Sequence, residues 1–154
     1  MIMLKRTLII IGIAGISVTI VYLCNHIGFN FSNSVDFRVY WHIPFTEVRR
    51  DAYYIIEYND NGQIRLLTKR AACLPGETLS RQDATFLCNG AEVTRIQITH
   101  DISGEEYPQY EIPIEGGLLN NTAFMLGDSV QSYDSRYFGA VPISSFRREV
   151  HPIW

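Results

Sequence analysis

The chain begins with one long apolar run and continues in short stretches where apolar and polar residues alternate. Residues 8–24, LIIIGIAGISVTIVYLC, carry no charge and follow the basic pair Lys5 and Arg6. At about 1.5 Å per residue a helix over this run spans roughly 25 Å, and uncharged flanks extend it toward the ~30 Å hydrocarbon core of a bilayer. The pattern predicts a transmembrane anchor over residues 7–29.

The charges around this anchor predict its orientation. Basic residues precede the run, whereas Glu47, Asp51 and the later acidic residues follow it. The positive-inside rule therefore places the N-terminus in the cytoplasm and the remainder outside. A cleaved secretory signal is the alternative, but the residues after the run offer no A-x-A-like cleavage site. Both interpretations export residues 30–154.

The exported part is predicted to be one mainly β domain over residues 30–154. Residues 51–58 and 63–69 are rich in β-prone side chains, and the Asn-Gly between them is a strong hairpin signal. Further strand-like stretches lie at residues 85–88, 92–99 and 110–114. Residues 101–108 are polar and are interpreted as a solvated loop.

Composition excludes several classes of function. The net charge is -3 and no run of basic residues is present, which argues against nucleic-acid binding. The histidines are scattered, so no metal site and no cofactor are predicted. The adjacent acids Glu105 and Glu106 are not interpreted as a catalytic pair, because neighbouring residues point apart and charge runs are usually solvated.

The cysteines divide between the membrane and the exported domain. Cys24 lies at the anchor and is interpreted as a packing residue, whereas Cys73 and Cys88 lie where disulfides persist. A crosslink between them would close a loop of about 15 residues and contribute roughly 3 kcal/mol. The alternative is a pair of free buried thiols.

The stretch KRAACLPGE, residues 69–77, places Lys69 at the end of an apolar strand. Burial of a lysine lowers its pKa from ~10.4, and a neutral amine can act as the general base for a serine. The alternative is a side chain that extends into water. Ser32 and Ser34 share one face of an extended segment, although such residues are also ordinary in loops.

Residues 124–142, FMLGDSVQSYDSRYFGAVP, form a turn-rich segment with glycine at both ends and Asp, Ser and Arg between them. Together with KRAACLPGE, this segment resembles the conserved boxes of the type I signal peptidase family. Members of that family are membrane-anchored proteases with a serine nucleophile and a lysine base. The run GDS..S.DSR.FG.VP is similar to the last box. KR...LPGE is similar to the lysine box, with Cys73 in place of the usual glycine and Glu77 in place of the usual aspartate.

The resemblance implies a role for each matching residue. Ser34 falls at the nucleophile and Lys69 at the general base. Ser32 resembles the hydroxyl that joins the backbone N–H of Ser34 in an oxyanion hole.

Three residues of the last box are implied to support this pair. Ser132 resembles the serine that hydrogen-bonds the lysine amine and orients it. Asp134 and Arg136 resemble an ion pair that holds the box in place.

Residues 34–40, SVDFRVY, are similar to the S-x-P-x-G-x-Y element of the conjugative-transfer (TraF-type) signal peptidases, with Asp36 and Arg38 at the proline and glycine positions. This implies a serine endopeptidase of the bacterial inner membrane whose periplasmic domain cleaves an exported precursor, such as a conjugative prepilin, after small residues. The implied partners are the precursor, the bilayer and other conjugation proteins. The alternatives are a housekeeping signal peptidase and a catalytically silent protein that binds a precursor or an assembly partner.

Overall fold

A computed structural model of the chain describes residues 2–60, 62–100, 103–112 and 116–154. Its first element is a helix, α1, over Ile2–His26. The helix is long and apolar enough to cross a membrane over Ile9–His26, and no residue of this window is buried by the rest of the protein. Such uncovered apolar side chains fit contact with lipid rather than with water.

The helix ends at His26 and not at residue 29. Residues 27–29, which the sequence prediction assigns to the anchor, form a strand because their backbone pairs with residues 39–41, with Gly28 opposite Tyr40. Gly28 is required here, since a Cβ at this position would lie 2.3 Å from the Tyr40 ring. The His26 ring also stacks on Trp41, with centroids 4.9 Å apart, and joins the anchor to the sheet.

The remainder is built mainly from antiparallel strands, which confirms the predicted fold class. The strands are, in chain order, β1 (Ile27–Phe29), β2 (Val39–Pro44), β3 (Tyr53–Asp60), β4 (Gln63–Cys73), β5 (Thr78–Gln82), β6 (Thr85–Cys88), β7 (Ala91–Arg95), β8 (Gly117–Leu118), β9 (Thr122–Leu126), β10 (Val141–Pro142) and β11 (Phe146–Pro152). A short helix, α2, spans Ser135–Phe138, and a 3₁₀ turn spans Ile143–Ser145.

The strands form two sheets. A seven-stranded sheet has the order β1-β2-β11-β3-β4-β9-β10, and a four-stranded sheet has the order β7-β6-β5-β8. The predicted hairpin is confirmed, because β3 and β4 pair from Tyr53 opposite Arg70 to Asp60 opposite Gln63. Asn61, in its turn, lies outside the described residues.

Three predicted strands differ in the structure. The strand expected over residues 63–69 continues to Cys73, so Lys69 lies inside β4 and not at its end. The strand expected over residues 92–99 ends at Arg95. Residues 110–112 form no strand, because the Tyr110 N–H is donated to the carbonyl of Arg136 rather than to a sheet neighbour, and residues 113–114 lie outside the described residues.

The apolar core has three parts. One cluster includes Phe86 and Phe124, whose rings lie 5.0 Å apart, and a second includes Tyr54 and Phe146. The third consists of Val35, Phe37, Tyr40 and Val150. Because this third cluster holds side chains from the segment between β1 and β2, it fixes the loop that carries the predicted nucleophile.

Candidate active site

Ser34 lies in the loop between β1 and β2. Val35 and Phe37 are buried and Asp36 is exposed, so alternate side chains anchor this extended loop in the core. Asp128 also holds the loop. Its backbone N–H donates to the Ser34 carbonyl at 2.8 Å, and its carboxylate accepts the Asp36 N–H at 3.0 Å.

Lys69 lies on β4 and is only 2% exposed. Its Nζ hydrogen-bonds Ser132 Oγ at 2.6 Å and makes a shorter contact with Ser34 Oγ. The two serine oxygens are 2.8 Å apart, so the three polar groups form a closed triangle. The fold thus brings together three residues that the sequence separates widely.

Burial lowers the pKa of Lys69 to about 8. The Asp134 carboxylate opposes this shift, and the Arg136 guanidinium adds to it. A pKa of about 8 leaves roughly one-tenth of the amine neutral at pH 7, against less than about one-thousandth for an ordinary lysine. The neutral form has two N–H donors and one lone pair, so it can donate to Ser132 and accept the Ser34 proton at the same time.

Ser132 reaches the Lys69 amine because the backbone at Gly127 passes close to the Ser132 side chain. A Cβ on Gly127 would lie 2.1 Å from Ser132 Oγ and 2.6 Å from the Ser34 carbonyl oxygen. The Ser132 N–H donates to the Ser129 carbonyl at 3.0 Å, which closes the turn that presents its hydroxyl.

Asp134 and Arg136 form a buried ion pair that holds this turn. Arg136 donates to the two carboxylate oxygens through Nε at 2.8 Å and Nη2 at 2.6 Å. Arg136 Nη2 also donates to the carbonyls of Ser129 and Ser132, each at 3.2 Å. Asp134 Oδ2 accepts the Gly127 N–H at 2.9 Å, so the pair binds both ends of the segment 127–132.

Ser32 lies beside Ser34 on the same loop. Its Oγ accepts the Ser34 N–H at 3.4 Å and donates to Oδ1 of Asn30 at 2.9 Å. The sequence prediction did not include Asn30, because one asparagine in a polar stretch is typical of any turn. It also omitted Asp128, although this residue belongs to the GDS of the last box.

Cys73 and Cys88 are joined in a disulfide with Cα atoms 5.7 Å apart. The bond links β4, the strand of Lys69, to β6 of the other sheet. Glu77 closes the following turn, because its carboxylate accepts the Leu74 N–H at 2.7 Å and pairs with Arg50. Among the described residues, Cys73, Cys88 and Glu77 are the group whose side-chain atoms lie close enough together to bind a metal. The two sulfur atoms, however, are bonded to each other.

Ser34 and Lys69 open on a groove of about 600 Å³. Phe31, Leu66 and Tyr133 are among the side chains that line it. In the described part of the chain, β4 pairs with β9 only from Arg70 to Cys73, so residues 65–68 have a free strand edge along the groove. An extended peptide can bind such an edge through its backbone.

Comparisons with known proteins identify the family of this chain. The crystal structure of a signal peptidase I from Enterococcus faecalis V583 is similar to this chain at 27% identity, covering 66% of this chain and 95% of that one, with a TM-score of 0.42. No curated protein matches the chain significantly. The family model described as signal peptidase, peptidase S26, matches residues 1–154. The match extends over the whole chain, and the protein therefore belongs to the S26 signal peptidase family.

Proposed function

We propose that this membrane signal peptidase is a serine endopeptidase with Ser34 as nucleophile and Lys69 as general base. The observation that carries the proposal is the triangle of Lys69 Nζ, Ser34 Oγ and Ser132 Oγ around a buried amine of lowered pKa. A nucleophile within hydrogen-bond reach of a base, itself oriented by a third group, is the arrangement that covalent catalysis requires.

The reaction follows from this geometry. Ser34 Oγ attacks the scissile carbonyl carbon while its proton passes to neutral Lys69. The resulting ammonium then donates that proton to the leaving amine as the C–N bond breaks, which leaves an acyl-enzyme and a neutral lysine. Lys69 next takes a proton from water, whose oxygen attacks the ester and releases Ser34 with its proton restored.

The negative oxygen of each tetrahedral intermediate needs donors. The Ser34 N–H and the Ser32 hydroxyl lie next to the nucleophile and supply them. Removal of one such donor typically lowers kcat by about 10²–10³-fold.

The groove supports an extended substrate. Residues 65–68 offer backbone groups to a peptide that would add to β4. This peptide would pass Ser34 where the free edge of β4 ends, beside Lys69. The preference for small substrate residues at the bond that is cut is carried over from the resemblance to signal peptidases. We infer that the substrate is an exported precursor.

The anchor supports a location in the bacterial inner membrane. Lys5 and Arg6 precede the apolar part of α1, which favours a cytoplasmic N-terminus and a periplasmic domain over residues 30–154. The precursor would then meet the domain on the side to which it is exported.

A role in conjugation is the finer part of this proposal. It is supported by the likeness of SVDFRVY to the TraF-type element, whose tyrosine, Tyr40, is buried beside Val35 and Phe37. Asp36 and Arg38 take the positions of the usual proline and glycine and are exposed, so they leave this cluster intact. The Asp36 N–H, which a proline would lack, donates to Asp128.

The test is cleavage of a conjugative prepilin by the membrane-embedded protein, scored by mass spectrometry. Wild type is compared with Ser34→Ala, Lys69→Met and the matched control Ser144→Ala, which changes an exposed serine away from the groove. We expect cleavage by wild type and the control, and a loss of at least about 10³-fold in the two site variants. Cleavage that survives Ser34→Ala would exclude this nucleophile.

Substrate range separates the remaining alternatives. A conjugative enzyme should cleave the prepilin and few other presequences, whereas a housekeeping signal peptidase should cleave many. A wild type that binds the precursor without cutting it or any presequence would favour the silent binding protein.

A further inference from the structure

Asn30 is a buried polar residue that the mechanism above does not use, and its side chain holds Ser32. Its Nδ2 donates to the Ser32 carbonyl at 2.9 Å. Its Oδ1 accepts the Ser32 backbone N–H at 3.3 Å and the Ser32 hydroxyl at 2.9 Å. Asn30 is only 9% exposed whereas Ser32 is exposed, so these contacts are partly shielded from water.

The hydrogen bonds fix the orientation of the Asn30 amide. Nδ2 faces the carbonyls of Ser32 and Phe37, at 2.9 and 3.1 Å, and a carbonyl can only accept. Oδ1 must therefore face the Ser32 hydroxyl, which has to be the donor of that bond. The proton of this hydroxyl therefore points toward Asn30 and is engaged in that bond.

Both donors of the oxyanion site are thus occupied in this state. The Ser34 N–H is directed at Ser32 Oγ, and the Ser32 hydroxyl is directed at Asn30. When the hydroxyl rotates toward a substrate oxygen, Asn30 Oδ1 keeps the Ser32 N–H as its partner. The rotation therefore leaves no buried acceptor unpaired, which keeps its cost low.

We propose that Asn30 is a positioning residue that withholds the Ser32 hydroxyl from the neutral substrate carbonyl and releases it to the oxyanion. This inference rests on the proposed function, because it requires Ser34 to be the nucleophile. A charged oxygen is a stronger acceptor than the neutral Asn30 amide, whereas a neutral carbonyl is not. The hydroxyl then acts mainly in the transition state, and an interaction of that kind raises kcat with little effect on KM.

Arg38 provides a matched control on the same loop. Its exposed guanidinium donates to the Ser32 carbonyl at 2.6 Å and to Asn33 Oδ1 at 2.9 Å. It thus holds the backbone that Asn30 holds, but these two bonds run to the Ser32 carbonyl and to Asn33 and not to the Ser32 hydroxyl. Removal of Arg38 therefore tests the effect of losing a support of the loop backbone without losing a contact to the Ser32 hydroxyl.

The experiment is a double-mutant cycle on the full chain in detergent, with kcat and KM measured on a precursor that wild type cleaves. The cycle combines Asn30→Ala with Ser32→Ala, and a parallel cycle combines Arg38→Ala with Ser32→Ala. We expect Asn30→Ala to lower kcat and KM together, each by about five- to tenfold, and to leave kcat/KM within about twofold, because the freed hydroxyl then binds the neutral carbonyl as well as the oxyanion. In the Ser32→Ala background, the loss of kcat on Asn30→Ala should be at least about fivefold smaller.

Equal losses of kcat in both backgrounds would overturn the proposal and leave Asn30 as a support of the fold. Arg38→Ala should lower kcat by the same factor with and without Ser32, and coupling as large as that of Asn30 would also overturn it. If thermal unfolding shows that Asn30→Ala does not fold, Asn30→Ser enters the same cycle under the same criteria. An inactive wild type would instead refute the proposed function, so the two failures are distinct.

Discussion

At the scale of single residues, the chemistry depends on the protonation of one amine. Lys69 is surrounded by the protein within strand β4, and its Nζ has two serine hydroxyls as partners. Because a hydroxyl does not neutralise an ammonium as a carboxylate would, burial dominates and lowers the pKa of Lys69 to about 8.

This pKa predicts the dependence of activity on pH. The neutral amine is the active form, so kcat/KM should rise about tenfold per unit below pH ~8 and level off above it. The measurement is the rate of precursor cleavage across a pH range of about 6–10 at constant ionic strength. Ser144→Ala should follow the same profile. A profile that is flat between about pH 6.5 and 8 would contradict a lysine base of this pKa.

The sequence predicts many of the site residues but not the hydrogen bonds that hold them in place. Ser34, Lys69 and Ser132 are predicted from the two boxes and a short serine pair, and the fold places their polar atoms together. Asn30 and Asp128 act through hydrogen bonds between segments far apart in the chain or across a loop. Such bonds leave no periodic signal, because they depend on how the loops cross.

At the scale of secondary structure elements, local signals identify the β3–β4 hairpin but not its neighbours. The Asn-Gly turn predicts the hairpin from adjacent residues. The sequence analysis does not predict β2, β9 and β11 as strands. In β11 the letters FRREVHP place three charged residues in succession, so the strand shows no alternation. β11 forms a strand because it pairs with β2 and β3, which are distant in the chain, and not because of its local pattern.

The disulfide is the link between elements with the clearest energetic consequence. Replacing both partners, Cys73→Ala with Cys88→Ala, should lower the free energy of unfolding by roughly 3 kcal/mol, because the 15-residue loop is then open in the unfolded chain. Thermal unfolding of the purified protein in detergent measures the change.

Two controls accompany this measurement. Cys24→Ala alters an exposed cysteine of α1 and should leave the melting temperature unchanged. Reductant should lower the melting temperature of wild type and not that of the double variant. Coincident melting of wild type and double variant would show that the crosslink does not stabilise the fold.

At the scale of the whole molecule, an apolar helix and a β domain meet at an aromatic contact. Tyr22 and His26 of α1 lie 5.8 and 4.9 Å from Trp41 between ring centroids. Aromatic residues at this point suit the boundary between lipid and water, where one end of the ring is apolar and the other wet. The β domain is thereby held next to the membrane surface.

The proposed orientation predicts which side of the membrane a reagent can reach. In a Cys24→Ala background, Ser144→Cys places a thiol on the exposed surface of the domain. A membrane-impermeant maleimide should label it in spheroplasts without disruption, because the proposed orientation places the domain outside the cytoplasm. A second variant with Met3→Cys, which precedes the basic pair, should react only after lysis. The reverse pattern would contradict the orientation.

The short connection between anchor and nucleophile sets a limit on distance. Ser34 follows His26, the last residue of α1, by eight residues, and β1 occupies the first part of that connection. Eight residues span at most about 29 Å even when fully extended. A peptide bond farther than this from the bilayer cannot reach Ser34 unless the substrate folds back. Under the proposed mechanism, the anchor therefore selects cleavage sites by their height above the lipid, independently of their side chains.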